Sequence, residues 1–342
     1  MHRASDFDYD LPPEQIAQDP LPDRAASRLL VLDHTNGAIR HARFGSILDL
    51  VAPADVLVLN VSRVIPARLR GTRESGGAAE LLLVRELSDG TWLALGHPSG
   101  KLKPGRRVRV GEDCVIEVVA VEGGGVRRVR FVGPLDGRTA LARYGEVPLP
   151  PYIRRPPRPE DSERYQTVYA QHDGSIAAPT AGLHFTPELL ERVRATGTAV
   201  ATLDLHVGPG TFKPVDRDDL ARHPMHAEPY AVSAAAAETI NVRRKAGGRV
   251  WAVGTTVVRT LETVADAAGE VRPGAGETSL FIYPPYVFRA VDRLLTNFHL
   301  PRSTLLMLAC AFGGYERVMH AYREAVKEGY RFYSYGDAMA II

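Results

Sequence analysis

Four glycine- and proline-bearing polar segments hold the residues of this 342-residue chain that are best suited to chemistry. The first, Ala178-Pro179-Thr180-Ala181-Gly182-Leu183-His184-Phe185-Thr186, runs into Pro187-Glu188. There Thr186 offers a capping hydroxyl, and the free amides of a helix start can hold an anion. The second, His206-Val207-Gly208-Pro209-Gly210-Thr211-Phe212, superficially resembles a phosphate loop. It lacks the Gly-Lys-Ser/Thr ending, which excludes a Walker site. In the third, Gly254-Thr255-Thr256-Val257-Val258-Arg259, an apolar run turns into a helical pattern. Its amides, two hydroxyls and Arg259 one turn on suit a carboxylate, with a capped helix carrying Arg259 on its solvent face as the plainer alternative. The fourth, Leu295 to Thr304, places Asn297 and His299 on one face of an extended chain.

His184, His206, His223, His226 and His299 invite a metal reading. The closely spaced donors His223, His226 and Glu228 fail the helical His-Glu-x-x-His template, because Pro224 and Pro229 interrupt any regular helix. No bound metal is therefore expected. A Gly-x-Ser-x-Gly elbow is missing, and no nearby base recommends Cys114 or Cys310 as nucleophile. Two alternatives stay open on the residues alone: a non-catalytic RNA-binding protein, and a metal-dependent hydrolase built on the histidines.

The elements that must position these segments differ along the chain. Between residues 63 and 158, short alternating runs (Ala79 to Leu87, Thr91 to Leu95, Arg106 to Val110, Cys114 to Glu122, Val126 to Val132) predict a small β-barrel. A proline-rich connector from Pro148 to Pro159 closes it. Outside that insertion, strands alternate with helices. Asp55 to Val61, Ala199 to His206, Val250 to Val253 and Leu280 to Tyr283 predict buried strands. Helices are predicted after Thr186, after Ser303-Thr304 and over Tyr315 to Glu328. The expectation is an α/β fold: a discontinuous large domain, 1–62 and 159–342, with a half-barrel-like mixed sheet, and an inserted β-barrel domain, 63–158.

Composition fits this division. With 45% hydrophobic and 24% charged residues the chain has material for a core, which excludes wholesale disorder. Two distant cysteines exclude a disulfide framework. No apolar leader or run of about 20 apolar residues is present, so a soluble cytoplasmic protein is expected. Residues 63–158 hold 18 Lys and Arg against 10 Asp and Glu, a balance of +8, while the remainder holds 24 against 30, or −6. Such segregation suits a barrel that faces a polyanion, or one kept soluble by arginines on its outer face.

Taken in order, these segments resemble the S-adenosylmethionine:tRNA ribosyltransferase-isomerase family of queuosine biosynthesis, the QueA family. The resemblance also rests on Tyr9-Asp10-Leu11-Pro12, Leu59 to Arg68, Pro148 to Ile153 and Tyr333 to Met339, and so spans nearly the whole chain. It implies transfer and isomerisation of the ribosyl part of S-adenosylmethionine onto 7-aminomethyl-7-deazaguanine at the tRNA wobble position. Epoxyqueuosine-tRNA forms, and adenine and methionine leave. S-adenosylmethionine is then a substrate, with no cofactor implied, and a monomer is expected.

For that chemistry the resemblance requires a base and an acid near the sulfonium-activated ribose. His184, His206, His226 and His299 are the candidates, with Glu228 as alternative base or orienting partner. Thr180, Gly182, Gly208, Gly210, Gly254, Thr255, Thr256, Arg259 and Asn297 are expected around S-adenosylmethionine, with Phe185, Phe212, Phe298 and Glu277 for adenine or the sulfonium. Phosphate contacts are expected from Arg63, Arg68, Arg70, Arg154 and Arg155, and from the strand bearing Arg127, Arg128 and Arg130.

Overall fold

The computed structural model describes residues 2–123, 125–208, 215, 218–223 and 225–342. Its centre is a nine-stranded mixed sheet. The spatial order is Gly274–Thr278, Glu228–Val232, Ala199–Leu205, Val56–Asn60, Val250–Val253, Arg293–Asn297, Ala338–Ile341, Arg28–Leu32 and Ile39–Arg43. The four strands from Ala199–Leu205 to Arg293–Asn297 run parallel to one another. Strands buried on both faces read as unbroken apolar runs, and residues 56–59 and 250–253 do so.

Alternate side chains of these strands enter two cores. Val56, Val58, Val250 and Ala252 pack with the helices Ala234–Lys245, Thr255–Val264, Thr304–Gly313 and Tyr315–Lys327. Leu57, Leu59, Trp251 and Val253 pack on the other face with Leu189, Leu190 and Val193 of the helix Pro187–Ala195. That helix starts as its sequence predicts, with the Thr186 hydroxyl accepting from the Leu189 amide at 3.1 Å.

Six antiparallel strands close a separate barrel, in the order Val126–Phe131, Trp92–His97, Ala78–Glu86, Arg68–Arg73, Arg107–Arg109 and Val115–Gly123. Leu69, Leu81, Leu83, Val108, Ile116, Val118 and Val129 fill its interior, joined by Ala140 and Leu141 from the helix Gly137–Tyr144. The α/β class with an inserted barrel is thus what the alternation pattern implied.

One expected strand is corrected. Leu280 to Tyr283 forms none; the edge strand is Gly274–Thr278, pairing with Glu228–Val232. The Leu280 carbonyl accepts from Arg259 Nε at 3.0 Å instead of from a ladder, and Pro284 and Pro285 bring no amide hydrogens. The true edge strand is mostly exposed and poor in apolar residues, so it lacked the pattern of a buried one.

Candidate active site

The carboxyl ends of the four parallel strands converge on one region, as ligand sites of open α/β sheets do. Asn60, at the end of an otherwise apolar strand, ties these ends together. Its Nδ2 donates to the Leu205 carbonyl at 2.9 Å and to Thr256 Oγ1 at 3.3 Å, and its Oδ1 accepts from the amides of Ser62 and Leu205. Above it lies a pocket of about 60 Å³, lined by Tyr152, Thr180, Val207, Gly254, Thr255, Thr256, Asn297, His299 and Tyr333 among others. Val207 also borders a second, larger cavity of about 850 Å³ between sheet and barrel. The sheet side of that cleft carries Gly174, His206, Gly208, His226, Glu228 and Glu277; the barrel side carries Arg85, Trp92, Leu93, Leu95 and Arg138.

The histidines divide by environment. His184 is buried, with Nδ1 2.8 Å from Ser27 Oγ, Nε2 3.1 Å from Asn297 Nδ2, and its ring stacked on Phe44. Burial, followed by the charges of Arg24 and Arg331, pushes its pKa down to about 3. His299 is buried too, bonded through Nε2 to Thr296 Oγ1 at 2.8 Å, and desolvation likewise lowers it to about 3. Asn297 and His299 both line the small pocket, as a shared face implies, although the strand ends at Asn297 and the two side chains hydrogen-bond to different neighbours.

His206 faces the large cleft. Its Nδ1 has no partner among the described residues, and burial lowers its pKa against the opposing effect of Asp204. Gly174, at φ 143°, lies against the ring; a Cβ there would stand 2.8 Å from Nδ1. His226 is exposed and borders both the cleft and a smaller cavity beside Arg259. Of the four candidates, His206 and His226 alone line the large cleft.

Arg259 is buried, which removes the solvent-face alternative. It pairs with Glu228 through Nη1, and its Nε and Nη2 donate to the carbonyls of Leu280 and Thr278. The guanidinium borders a cavity with His223, His226 and Glu228, apart from the pocket of Thr255 and Thr256. The single carboxylate seat expected from Thr255, Thr256 and Arg259 is therefore divided. Glu228 also accepts from the Gly208 amide at 2.7 Å, so that amide is not open to a ligand.

Further placements differ from expectation. Phe185 is fully buried, edge-on to Phe44, and Phe298 is fully buried among Tyr322, Tyr330 and Phe332; neither ring has a free face for adenine. Gly182 serves close packing, since a Cβ there would fall 2.0 Å from Tyr169 Oη. Glu277 is half-exposed at the cleft edge and bonds to Arg85 of the barrel at 2.8 Å. Gly210 and Phe212 lie outside the described residues.

Several arginines of the barrel segment are held by partners within the fold. Arg68, mostly buried, pairs with Glu80 at 3.0 Å and donates to the Leu149 carbonyl. Arg155 is held by both oxygens of buried Asp161, at 2.6 and 2.8 Å, and by Asp19. Its guanidinium pKa is thereby raised and the Asp161 carboxyl lowered. Arg127 is buried on the carbonyls of Leu102 and Ser99, Arg128 pairs with Asp89, and Arg130 with Glu117. Arg68, Arg127 and Arg155 are thus held mostly buried within the fold, whereas Arg128 and Arg130 keep partly exposed guanidinium groups in their ion pairs. Arg154 is exposed, and Arg63 and Arg70 are half-exposed with ion pairs of 3.7 Å to Asp173 and 3.2 Å to Glu146.

Several site residues carried no expectation from sequence: Ser27 beside His184, Asn60 beneath the pocket, and Trp92, Leu93 and Leu95 on the cleft wall. A lone asparagine closing the apolar strand Val56–Asn60 was a usable signal for the second. The cleft-wall residues alternate like any barrel strand, with nothing to mark them.

A cleft beside the parallel strand ends, walled on one side by the inserted barrel and bordered by His206 and His226, defines an α/β enzyme acting between two modules. The family model described as queuosine biosynthesis protein matches residues 4–341. A protein from Symbiobacterium thermophilum named S-adenosylmethionine:tRNA ribosyltransferase-isomerase is 53% identical over 344 residues, covering 99% of this chain and 100% of that one. One of the same name from Thermus thermophilus is 54% identical, with 98% of each chain covered. A crystal structure of S-adenosylmethionine tRNA ribosyltransferase from Thermotoga maritima is similar with a TM-score of 0.58 at 41% identity, covering 99% of this chain and 100% of that one. The chain belongs to the queuosine biosynthesis protein family.

Proposed function

We propose that this chain transfers the ribosyl part of S-adenosylmethionine to the aminomethyl group of 7-aminomethyl-7-deazaguanine at the tRNA wobble position and rearranges it to the epoxycyclopentane of epoxyqueuosine. Adenine and methionine are released. The observation that carries this reading is the pairing of a full-length family match with a cleft of about 850 Å³ where sheet and barrel meet over His206 and His226. Such a cleft has room for a nucleoside and a splayed loop base together, and loop bases are cheap to extrude because they are already unpaired.

The positive sulfur acidifies the ribose methylene beside it. His206, partly buried and with Nδ1 unpartnered, is held neutral and takes that proton as the base; His226 at the cleft mouth serves as the acid. Loss of adenine opens the sugar to the substrate amine, and methionine leaves as the epoxide closes. Glu228 and Arg259 hold the segment after His206 in place through the Gly208 amide. His184 and His299, both kept neutral by burial, act as hydrogen-bonding structure rather than as acid or base. The route uses S-adenosylmethionine as substrate and calls on no metal or redox cofactor.

Incubation with S-adenosylmethionine and tRNA carrying the modified base, with and without chelator, tests the reading. Release of adenine that survives chelation is the expected result. Binding of the tRNA with no adenine released would leave an RNA-binding protein, and chelator-sensitive cleavage of a substrate would leave a metal-dependent hydrolase.

A further inference from the structure

The carboxamide of Asn297 has a fixed orientation. Its Nδ2 lies 3.2 Å from the Tyr333 carbonyl, which can only accept, and 3.1 Å from His184 Nε2. Both amide hydrogens are thereby used. His184 Nε2 must then accept, so its proton sits on Nδ1 and is donated to Ser27 Oγ, whose hydroxyl passes on to the Arg24 carbonyl. What is left over is Asn297 Oδ1: buried, without a partner among the described residues, in a residue 2% exposed that lines the 60 Å³ pocket. A buried acceptor left unpaired costs stability, so a native structure that keeps one points to a ligand donor.

The same pocket holds the start of the helix Thr255–Val264. Gly254, at φ 92°, accepts from the amides of Val257 and Val258, while the amides of Thr255 and Thr256 precede the first helical bond. A fixed acceptor and an anion-holding helix start thus line one small space. At roughly 15 Å³ per water, the pocket takes about four waters, the bulk of an α-amino-acid head group and too little for a purine.

Resting on the function proposed above, we propose that this pocket seats the methionyl zwitterion of S-adenosylmethionine, with Asn297 Oδ1 accepting from its α-ammonium and the amides of Thr255 and Thr256 holding its carboxylate. His184 is a positioning residue that fixes the carboxamide. The ribose and adenine then extend past Val207 into the large cleft, toward His206.

The test is equilibrium binding of three ligands to the full-length protein: S-adenosylmethionine, its analogue lacking the α-amino group, and its analogue lacking the purine 6-amino group. The wild type is expected to bind the first about ten- to a hundredfold more tightly than the second, the range of a hydrogen bond to a charged group. In Asn297→Ala that preference collapses, while the preference over the purine analogue persists. In Asn297→Asp, which brings a charge to the ammonium, the preference is kept or grows; this variant decides the matter if the alanine protein does not fold. His184→Phe retains the stacking on Phe44 but frees the carboxamide, and the preference falls. An unchanged preference in Asn297→Ala, a lost preference in Asn297→Asp, or a change confined to the purine analogue overturns the assignment; an unchanged preference in His184→Phe overturns the part given to His184. Adenine release by the wild type is scored separately, so the failure of this seat and the failure of the proposed reaction are distinguishable.

Discussion

Glu228 and Arg259 form an ion pair in which both side chains are more than nine-tenths buried. It joins the strand Glu228–Val232 to the helix Thr255–Val264, and through the Gly208 amide it reaches the segment that follows His206. Removing one partner leaves the other charge in a low-dielectric site, so Glu228→Gln or Arg259→Met is expected to cost about 3–5 kcal/mol. The double variant Glu228→Gln, Arg259→Met should lose less than the two single changes together, because no charge is then stranded. Urea unfolding of the four proteins measures both effects, and strictly additive losses would show that the pair is not coupled.

His206 and Gly174 make a second dependence. Replacing His206 with Asn is expected to lower the rate of adenine release by about 10²- to 10⁴-fold, the usual worth of a placed acid or base, with a smaller change in S-adenosylmethionine affinity. Gly174→Ala should also slow release, because its Cβ would press on the ring. Since burial lowers the His206 pKa, the acidic limb of the wild-type rate profile should lie below the ordinary histidine value of about 6.5. Single-turnover release across pH checks all three. A His206→Asn protein with a wild-type rate would move the proton transfer to another group.

Much of this arrangement was legible in the sequence, for reasons that are local. The strands Val56–Asn60 and Val250–Val253 announce themselves as apolar runs, and Thr186 and Ser303 mark helix starts by chemistry that acts within three residues. The roles of His184, Phe185 and Phe298 were not legible. Each sits in a polar or glycine-bearing segment, and only the tertiary packing shows that Phe44 covers His184 and Phe185 while Tyr322, Tyr330 and Phe332 enclose Phe298. The arginines misled for a similar reason. A count of charges in residues 63–158 does not reveal that Arg155 is held by Asp161, or that Arg127 is held by backbone carbonyls.

Two neutral histidines set a pH dependence of stability. His184 and His299 have folded-state pKa values of about 3, below the unfolded value near 6.5, so the unfolded chain binds more protons between these limits. Stability from this source is fully present above pH 6.5 and is lost as pH falls from there toward 3. Well inside the window each histidine costs about 1.4 kcal/mol per pH unit. Between pH 6 and 4 the unfolding free energy of His299→Gln should therefore fall less steeply than that of the wild type, by about one proton's worth. Equal slopes in denaturant titrations would show that His299 becomes protonated within the folded state.

The arginines divide into two groups that respond differently to substitution. Arg155→Ala and Arg68→Ala remove mostly buried guanidinium groups already held by Asp161 and Glu80, so they should lower the melting temperature while leaving the salt dependence of tRNA binding as it is. Arg154 is exposed, and Arg70 and Arg63 are half-exposed on ion pairs that water screens and a phosphate can replace. Substitution of each of these three by Ala should leave melting nearly unchanged and reduce the slope of log K against log salt by about one for each phosphate no longer neutralised. Filter binding of the tRNA from low to moderate salt, with calorimetry on the same proteins, tests the division. If Arg155→Ala flattens the salt slope and Arg154→Ala does not, the tRNA lies on the Arg155 side of the connector, and the phosphate track assigned to the exposed residues is wrong.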